Sequence, residues 1–328
     1  TEGEGQYRAL VTIAGNPVLS APNGKQMDAA LSDLDFMVAI DFYINETTRH
    51  ADIILPPTSA LEHDHYDLAF LRLAVHNTAR FNEAVFEPAE GTRHDWEIFN
   101  ELGLAVAARK GMEVKPLPSP DKLIDRGIQR GPYSAAAGHE LELTLDKIKQ
   151  HPHGLDIGPL QPSLPERLCT SDGKIRLMAD YIVEDLARLG DEKQETDKDE
   201  LLLIGRRHIR SNNSWMHNSH RLVKGKPRWQ LLMHPDDMAA HQLQDQSQVR
   251  IRSRVGEVQT QVLASDEVMP GVVSLPHGWG HKRQGVALNI AAEQGGVSCN
   301  DLTDDKLVDR ASGNSALNGV PVKVFGIQ

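Results

Sequence analysis

Short apolar runs alternate with polar loops at the start of the chain, at positions 9–14, 36–40 and 52–55. Uninterrupted runs of this length predict strands buried on both faces. Between the first two lies 23–31, where Met27, Ala30 and Leu31 share one helical face, and a short 45–50 connection precedes the third run. The expected element is a βα unit extended into a parallel α/β sheet. From residue 92 the period changes. Thr92 and Asp95 read as a capping box, and Trp96, Phe99, Leu102 and Val106 form a stripe at helical spacing, which predicts an amphipathic helix packed on the sheet. Residues 115–165 are rich in Pro and Gly around Leu141, Leu143, Leu145 and Ile148, so an irregular connection with one or two helices is expected there. A strand is expected at 174–177 and a helix at 181–189.

Further on the period falls to two. Val249, Ile251, Ser253 and Val255 alternate with arginines, Gly256 and Glu257 turn the chain, and Val258, Thr260 and Val262 alternate again. That pattern predicts a hairpin. Segments 272–275 and 320–324 supply further strands, and Pro235 opens a small helix through Met238 and Ala240. Several short strands of this kind suggest a small β-barrel. Between the two regimes, residues 184–200 hold eight acidic against three basic side chains. Such a run reads as a solvated linker, with a boundary near 195 between an α/β domain, 1–195, and a β-barrel domain, 196–328.

Composition narrows the function classes. A chain of 328 residues with 40% apolar and 25% charged content is globular and roughly two domains long. No stretch reaches the roughly 20 apolar residues of a membrane span. The N-terminus has neither an initiating Met nor a signal-peptide core, so a fragment of a longer protein is expected. The cysteines are Cys169 and Cys299, in no Cys-x-x-Cys pair, which argues against an iron–sulfur cluster or a cysteine zinc site and for a reducing, cytoplasmic setting. A net charge of −11 argues against a nucleic-acid surface. His63 and His65 would share a strand face, but no third metal ligand accompanies them.

The densest polar chemistry stands at 205–218, directly after the apolar run 201–204. Three arginines, two histidines, three asparagines and two serines occupy a loop where a turn needs only one or two such residues. This donor set suits a large anionic ligand. The expected strands of the first section also end in polar residues: Gly15, Asn16 and Pro17 after one, Asp41 after another. Ligands of open α/β sheets sit beyond such ends. A carboxylate at Asp41 could accept the paired amide and amine of guanine. Neither a P-loop nor a Gly-x-Gly-x-x-Gly fingerprint occurs. In the second section, glycines around Trp279 would let backbone approach a ligand.

These landmarks carry a resemblance. The chain is similar to the C-terminal part of the molybdopterin oxidoreductases, the dimethyl sulfoxide reductase family that includes formate dehydrogenases and nitrate reductases. In the first section it rests on residues 14–20, Asp41 with Asn45, Glu46 and Thr47, residues 51–56, and residues 95–98. In the second it rests on Gly205 and Arg206 with 210–216, Pro235 to Asp237, residues 268–273, His277 to His281, and Asn300. The resemblance implies a parallel α/β domain followed by a double-psi β-barrel, and a molybdopterin guanine dinucleotide cofactor around molybdenum or tungsten. By carry-over, Gly15, Asn16, Asp41 and Glu46 line the guanosine end. Arg206, Arg210, Asn212, Asn213, Met216, His277, Trp279 and Asn300 line pterin or phosphates, and Pro17, Asn45, Thr47 and His208 join the same cofactor-binding set. The chain departs from the family in lacking the iron–sulfur cysteines and the domains that carry the metal's protein ligand. Cys169 does not match that ligand, and Glu62 to Tyr66 stands where the family often has Glu-x-x-Gly-Thr. The implied role is a cofactor-binding portion of an oxidoreductase, inactive alone, whose partners are the remaining domains or subunit and a small-molecule substrate. A non-catalytic nucleotide-binding or assembly module is the competing class.

Overall fold

Three parallel strands open the chain, β1 (Ala9–Ile13), β2 (Phe36–Ile40) and β3 (Ile53–Ile54), hydrogen-bonded in that order. The computed structural model describes residues 3–191 and 199–327. The middle strand is the buried one: Met37 through Ile40 are all enclosed, whereas Val11, Ile13 and Ile53 on the outer strands stay exposed. The expectation of strands buried on both faces therefore holds for β2 alone. Helix Gly24–Ser32 connects the first two strands, with the Asn23 side chain accepting from the Gln26 amide at its start. Asp52 fixes the third strand, its carboxylate accepting the Met37 amide at 2.7 Å.

Packing divides the chain into two compact units, residues 1–54 with 176–328, and residues 55–175. The second of these contains β4 (His65–Tyr66), β5 (His76–Ala79), β6 (Phe81–Asn82) and β7 (Leu155–Pro159), paired as β4 with β6 and β5 with β7. Phe81, Leu143, Leu145 and Ile148 centre its core. Helices Pro120–Gln129 and Leu145–Lys149 account for the expected helical content of 115–165. Helix Asp95–Arg109 also belongs to this unit, and two expectations about it change. Its cap is His94, whose amide donates to the Glu97 carboxylate at 2.9 Å, while Thr92 bonds the Ala89 carbonyl. Its buried positions are Ile98 and Ala107, and Phe99, Leu102 and Val106 of the expected stripe are exposed.

The first unit continues with helix Asp180–Asp191 and six strands, β8 (Leu201–Arg206), β9 (Leu231–Met233), β10 (Gln248–Arg252), β11 (Glu257–Ala264), β12 (Val272–Pro276) and β13 (Val320–Gly326). They close a barrel in the order β10-β11-β9-β12-β8-β13. Its pairing is mixed, with β8 parallel to β12, β9 parallel to β11, and β10 with β11 as the expected antiparallel hairpin. This is the α/β plus double-psi barrel class expected of the chain. Leu203, Leu231, Met233, Ile251, Val262 and Leu275 fill the interior. No strand forms at 174–177. The boundary expected near 195 lies outside the described residues. Among those described, no helix is long and apolar enough to cross a membrane.

The three-stranded sheet and the barrel belong to one unit because polar contacts join them. The Asn23 amide donates to the Thr303 carbonyl at 2.9 Å, the Asn300 side chain to the Leu19 carbonyl at 2.7 Å, and the Ala287 amide to the Ile44 carbonyl at 2.9 Å. Asp28 gathers Arg49, His50 and Arg283, and Arg283 reaches on to Asp301 at 2.7 Å.

Candidate functional site

Two parallel barrel strands end side by side. Pro276 of β12 is in register with Arg206 of β8, and the His277 amide donates to the Arg206 carbonyl at 3.0 Å. The loops at 207–218 and 277–281 therefore leave the barrel together. Asn212 and Asn213 both take positive φ, 39° and 59°, a conformation Asn adopts more readily than most side chains. The turn brings the Asn213 carbonyl against Gly278, where a Cβ would lie 2.2 Å from that oxygen. Between the loops opens a recess of about 400 Å³ lined by Arg207, His208, Ser211, Asn212, Asn213, Met216 and His277. Burial and the nearby Arg207 guanidinium push His277 below the usual histidine range, so it faces the recess as a neutral ring.

Arg206 does not face this recess as expected. Its guanidinium donates to the carbonyls of Ser274 and Gln230, both at 2.6 Å, and of Arg228 at 3.2 Å. Burial lowers it to about 10. The charge that borders the recess is Arg207 instead, and Arg210 is exposed in the same loop. Asn300 is likewise turned inward: besides its bond to Leu19, it accepts from the Thr303 hydroxyl at 3.0 Å. Trp279 is buried and stacks on His217 at 3.9 Å between ring centroids.

The residues expected at the guanosine end divide as well. Gly15, Asn16, Asp41 and Asn45 line one notch, together with Tyr43, Ser214, Trp215, Asn218 and Leu288. Pro17 starts the short helix that follows, and Thr47 is buried, its hydroxyl donating to Asn16 at 2.8 Å. Asp41 is buried and accepts from the Tyr43 amide at 3.1 Å and the Asn45 side chain at 3.2 Å. Burial raises its pKa above the usual carboxylate range, against the pull of those donors. The cavity is about 20 Å³, room for one water molecule. Trp215 closes it, with Phe42 edge-on at 5.5 Å. An aromatic ring in the middle of a polar loop was the signal that could have singled out Trp215.

Glu46 does not reach either opening. It is fully enclosed, with Asn16 donating to one carboxylate oxygen at 2.7 Å and His281 Nδ1 on the other at 2.8 Å. The contacts continue: His281 Nε2 lies 2.9 Å from His217 Nδ1, and His217 Nε2 lies 2.9 Å from Ser211 Oγ. All four side chains are buried, and Ser211 borders the recess. Burial alone would raise Glu46, but the bonds from His281 and Asn16 hold it below the usual glutamate range. Burial drives His217 down to about 3, with His281 and Arg228 adding to the effect. The sequence gives no local signal for this chain, whose members stand up to 235 positions apart. In the other unit, His63 and His94 border a separate hollow, and no group of three metal-capable side chains occurs among the described residues.

Two known families match separate stretches of the chain. Residues 201–321 match the molydopterin dinucleotide binding domain, and residues 3–105 match molybdopterin oxidoreductase. The chain is 25% identical over 324 residues to the probable oxidoreductase YoaE of Bacillus subtilis (strain 168), covering 97% of this chain and 44% of that protein. It is 24% identical to the F420-dependent formate dehydrogenase 1 subunit alpha of Methanococcus maripaludis, over 88% of this chain and 41% of that one. Acetylene hydratase from Pelobacter acetylenicus shares the fold at a TM-score of 0.71 and 17% identity, covering 98% of this chain and 44% of its own. The chain spans less than half the length of the curated relatives it matches.

Proposed function

We propose, for a chain that belongs to the molybdopterin oxidoreductase family, that it is the cofactor-binding C-terminal portion of a molybdenum or tungsten enzyme using molybdopterin guanine dinucleotide. The observation that carries this reading is the meeting of two polar loops on adjacent parallel strand ends. They leave an arginine-bordered recess of about 400 Å³ in a chain of net charge −11. That volume falls within the roughly 300–1,000 Å³ of small-molecule sites.

The lining suits a pyrophosphate-bridged ligand. Arg207 supplies a permanently charged fork, Asn212 and Asn213 supply amides, and the bare backbone at Gly278 leaves room for close packing of the two loops. Asp41 is an acceptor for a donor pair such as the guanine amide and amine, with Asn16 and Asn45 beside it. The 20 Å³ notch does not admit a purine as it stands, so Trp215 or Tyr43 must swing aside for one to enter. When bound, the cofactor would supply the metal centre and its redox chemistry. This chain's residues bind and orient. The remaining domains or subunit would bring the iron–sulfur cluster, the metal's protein ligand and the substrate-selecting residues, so the chain alone is expected to show no turnover.

The test is metal and cofactor content of the full-length gene product after anaerobic purification. Molybdenum or tungsten together with GMP released by acid hydrolysis is the expected result. A metal-free product that carries a simple nucleotide, or none, would establish the non-catalytic binding or assembly module instead.

A further inference from the structure

The contacts from Glu46 through His281 and His217 to Ser211 form one line of three hydrogen bonds, at 2.8, 2.9 and 2.9 Å, and the Gly278 backbone meets it at His217. One end is a fully buried carboxylate, and the other is a hydroxyl on the wall of the recess. With Glu46 ionised and both imidazoles neutral, three hydrogens serve three contacts, and only one arrangement avoids opposing lone pairs. Ser211 donates to His217 Nε2, His217 Nδ1 donates to His281 Nε2, and His281 Nδ1 donates to Glu46. The polarity of the line is thus set by the carboxylate, and Ser211 presents only lone pairs to the recess.

We propose that Ser211, His217, His281 and Glu46 form a proton relay that accepts a proton from an O–H or N–H group of a ligand in the recess and stores it on His281. The donor passes its hydrogen to Ser211 Oγ as Ser211 passes its own to His217 Nε2. His217 Nδ1 in turn releases its hydrogen to His281 Nε2. One proton has left the ligand and one positive charge has appeared on His281, against the negative charge of Glu46. No bond other than those to hydrogen changes. Both contacts of His217 reverse polarity, and His217 stays neutral while its hydrogen moves from Nδ1 to Nε2. Its burial suits that pass-through role, since it disfavours a charge on this ring. The charged groups around the line are Glu46, Arg228 on the His217 side, and Arg49, which donates to the Glu46 carbonyl at 3.2 Å. Asn16 donates to the second Glu46 oxygen and keeps it an acceptor.

The identity of the proton donor rests on the cofactor reading above, but the relay itself is a property of the bare chain and is tested there. The full chain, labelled with ¹⁵N-histidine, is titrated without cofactor by NMR. The expected result is His217 in the Nδ1–H form at the alkaline end, converting to the Nε2–H form in the same transition that protonates His281. Glu46→Gln removes the charge that sets the polarity and stabilises the stored proton, and should uncouple the His217 tautomer from pH across the range where the wild type switches. Ser211→Ala should slow exchange between the two His217 forms at least tenfold, and Ser211→Thr should restore it. A His217 that is Nε2–H at the alkaline end, or that keeps one tautomer while His281 titrates, makes the line a static packing network and overturns the relay. Exchange unchanged in Ser211→Ala overturns entry from the recess. Each result is read on wild type or on a conservative variant, and none depends on whether the cofactor reading holds.

Discussion

Arg206 and Arg210 stand four positions apart in one basic loop, yet their surroundings give them opposite roles. Arg206 satisfies three backbone carbonyls from inside the barrel mouth. Arg206→Ala should destabilise the cofactor-free chain by on the order of 3 kcal/mol, since those acceptors lose charged donors, and Lys cannot replace the fork. Arg210→Ala should stay within about 0.5 kcal/mol in the same urea titration, as exposed substitutions do, while weakening cofactor retention in the complete enzyme. The reverse ranking would make Arg206 the ligand contact. Asp41 and Glu46 make an analogous pair in their pH response. The raised Asp41 contributes stability below the ordinary aspartate range and loses it as pH climbs through its raised value. The lowered Glu46 contributes stability above the ordinary glutamate range and loses it as pH falls through its lowered value. As pH climbs from the ordinary aspartate value of about 4 through the raised value, Asp41→Asn should therefore gain on the wild type. Glu46→Gln should fall behind only as pH climbs from the lowered value to the ordinary glutamate value of about 4.3, and hold level above it. Parallel slopes for the two variants would mean that the environments assigned to these carboxylates are wrong.

Among the elements, the two loops that frame the recess depend on a close approach that glycine alone permits. Gly278 has φ 85°, and a Cβ there meets the Asn213 carbonyl at 2.2 Å, whereas Gly271 has φ 84° with open space around it. Gly271→Ala should cost only the backbone term, about 1–2 kcal/mol. Gly278→Ala adds an overpacked contact and should cost about 3 kcal/mol or more, so its melting temperature should fall well below that of Gly271→Ala. Equal losses would show that the loops can move apart freely. The strands bearing these loops, β8 and β12, were legible in sequence as the apolar runs 201–204 and 272–275, just as β2 is an unbroken apolar run and β10 and β11 alternate around a Gly-Glu turn. The buried face of helix Asp95–Arg109 was not legible, since tertiary packing chose Ile98 and Ala107 over the aromatic stripe. β7 was missed because Leu155–Pro159 carries a Gly and a Pro and gains its place only by pairing with β5. For the site, residue type told where polar loops lie but not which side chains turn inward. Asp41 and Asn16 lie at an opening, while Glu46, Asn300 and Arg206 are consumed by partners that no local pattern reveals.

At the scale of the whole molecule, sequence and packing divide the chain differently. Periodicity changes across the acidic segment near residue 195, which suggests two domains joined end to end, but the first three strands share a compact unit with the barrel, and residues 55–175 form the other. The difference has a physical basis in the contacts between the opening sheet and the barrel. Asp28 holds Arg283 at 2.9 Å, Glu46 holds His281 at 2.8 Å with both side chains enclosed, and Asn300 and Thr303 bond the backbone at Leu19 and Asn23. Leaving a buried hydrogen-bonding group without its partner costs about 1–3 kcal/mol, and separating the two faces would leave several such groups without partners at once. A protease should cut first in the acidic segment, where a run of like charges offers little apolar surface to bury. The two products of that cut should nevertheless elute together in native gel filtration and separate only in denaturant. Asp28→Ala combined with Glu46→Gln should loosen the nicked pair enough to separate under native conditions, because it removes the charge centres on the sheet side of the joint. If the nicked wild-type chain instead elutes as two folded species, the sheet and the barrel are independent domains and the joint contributes little. If no cut occurs near 195 while one occurs within the barrel, the acidic segment is not an exposed connection.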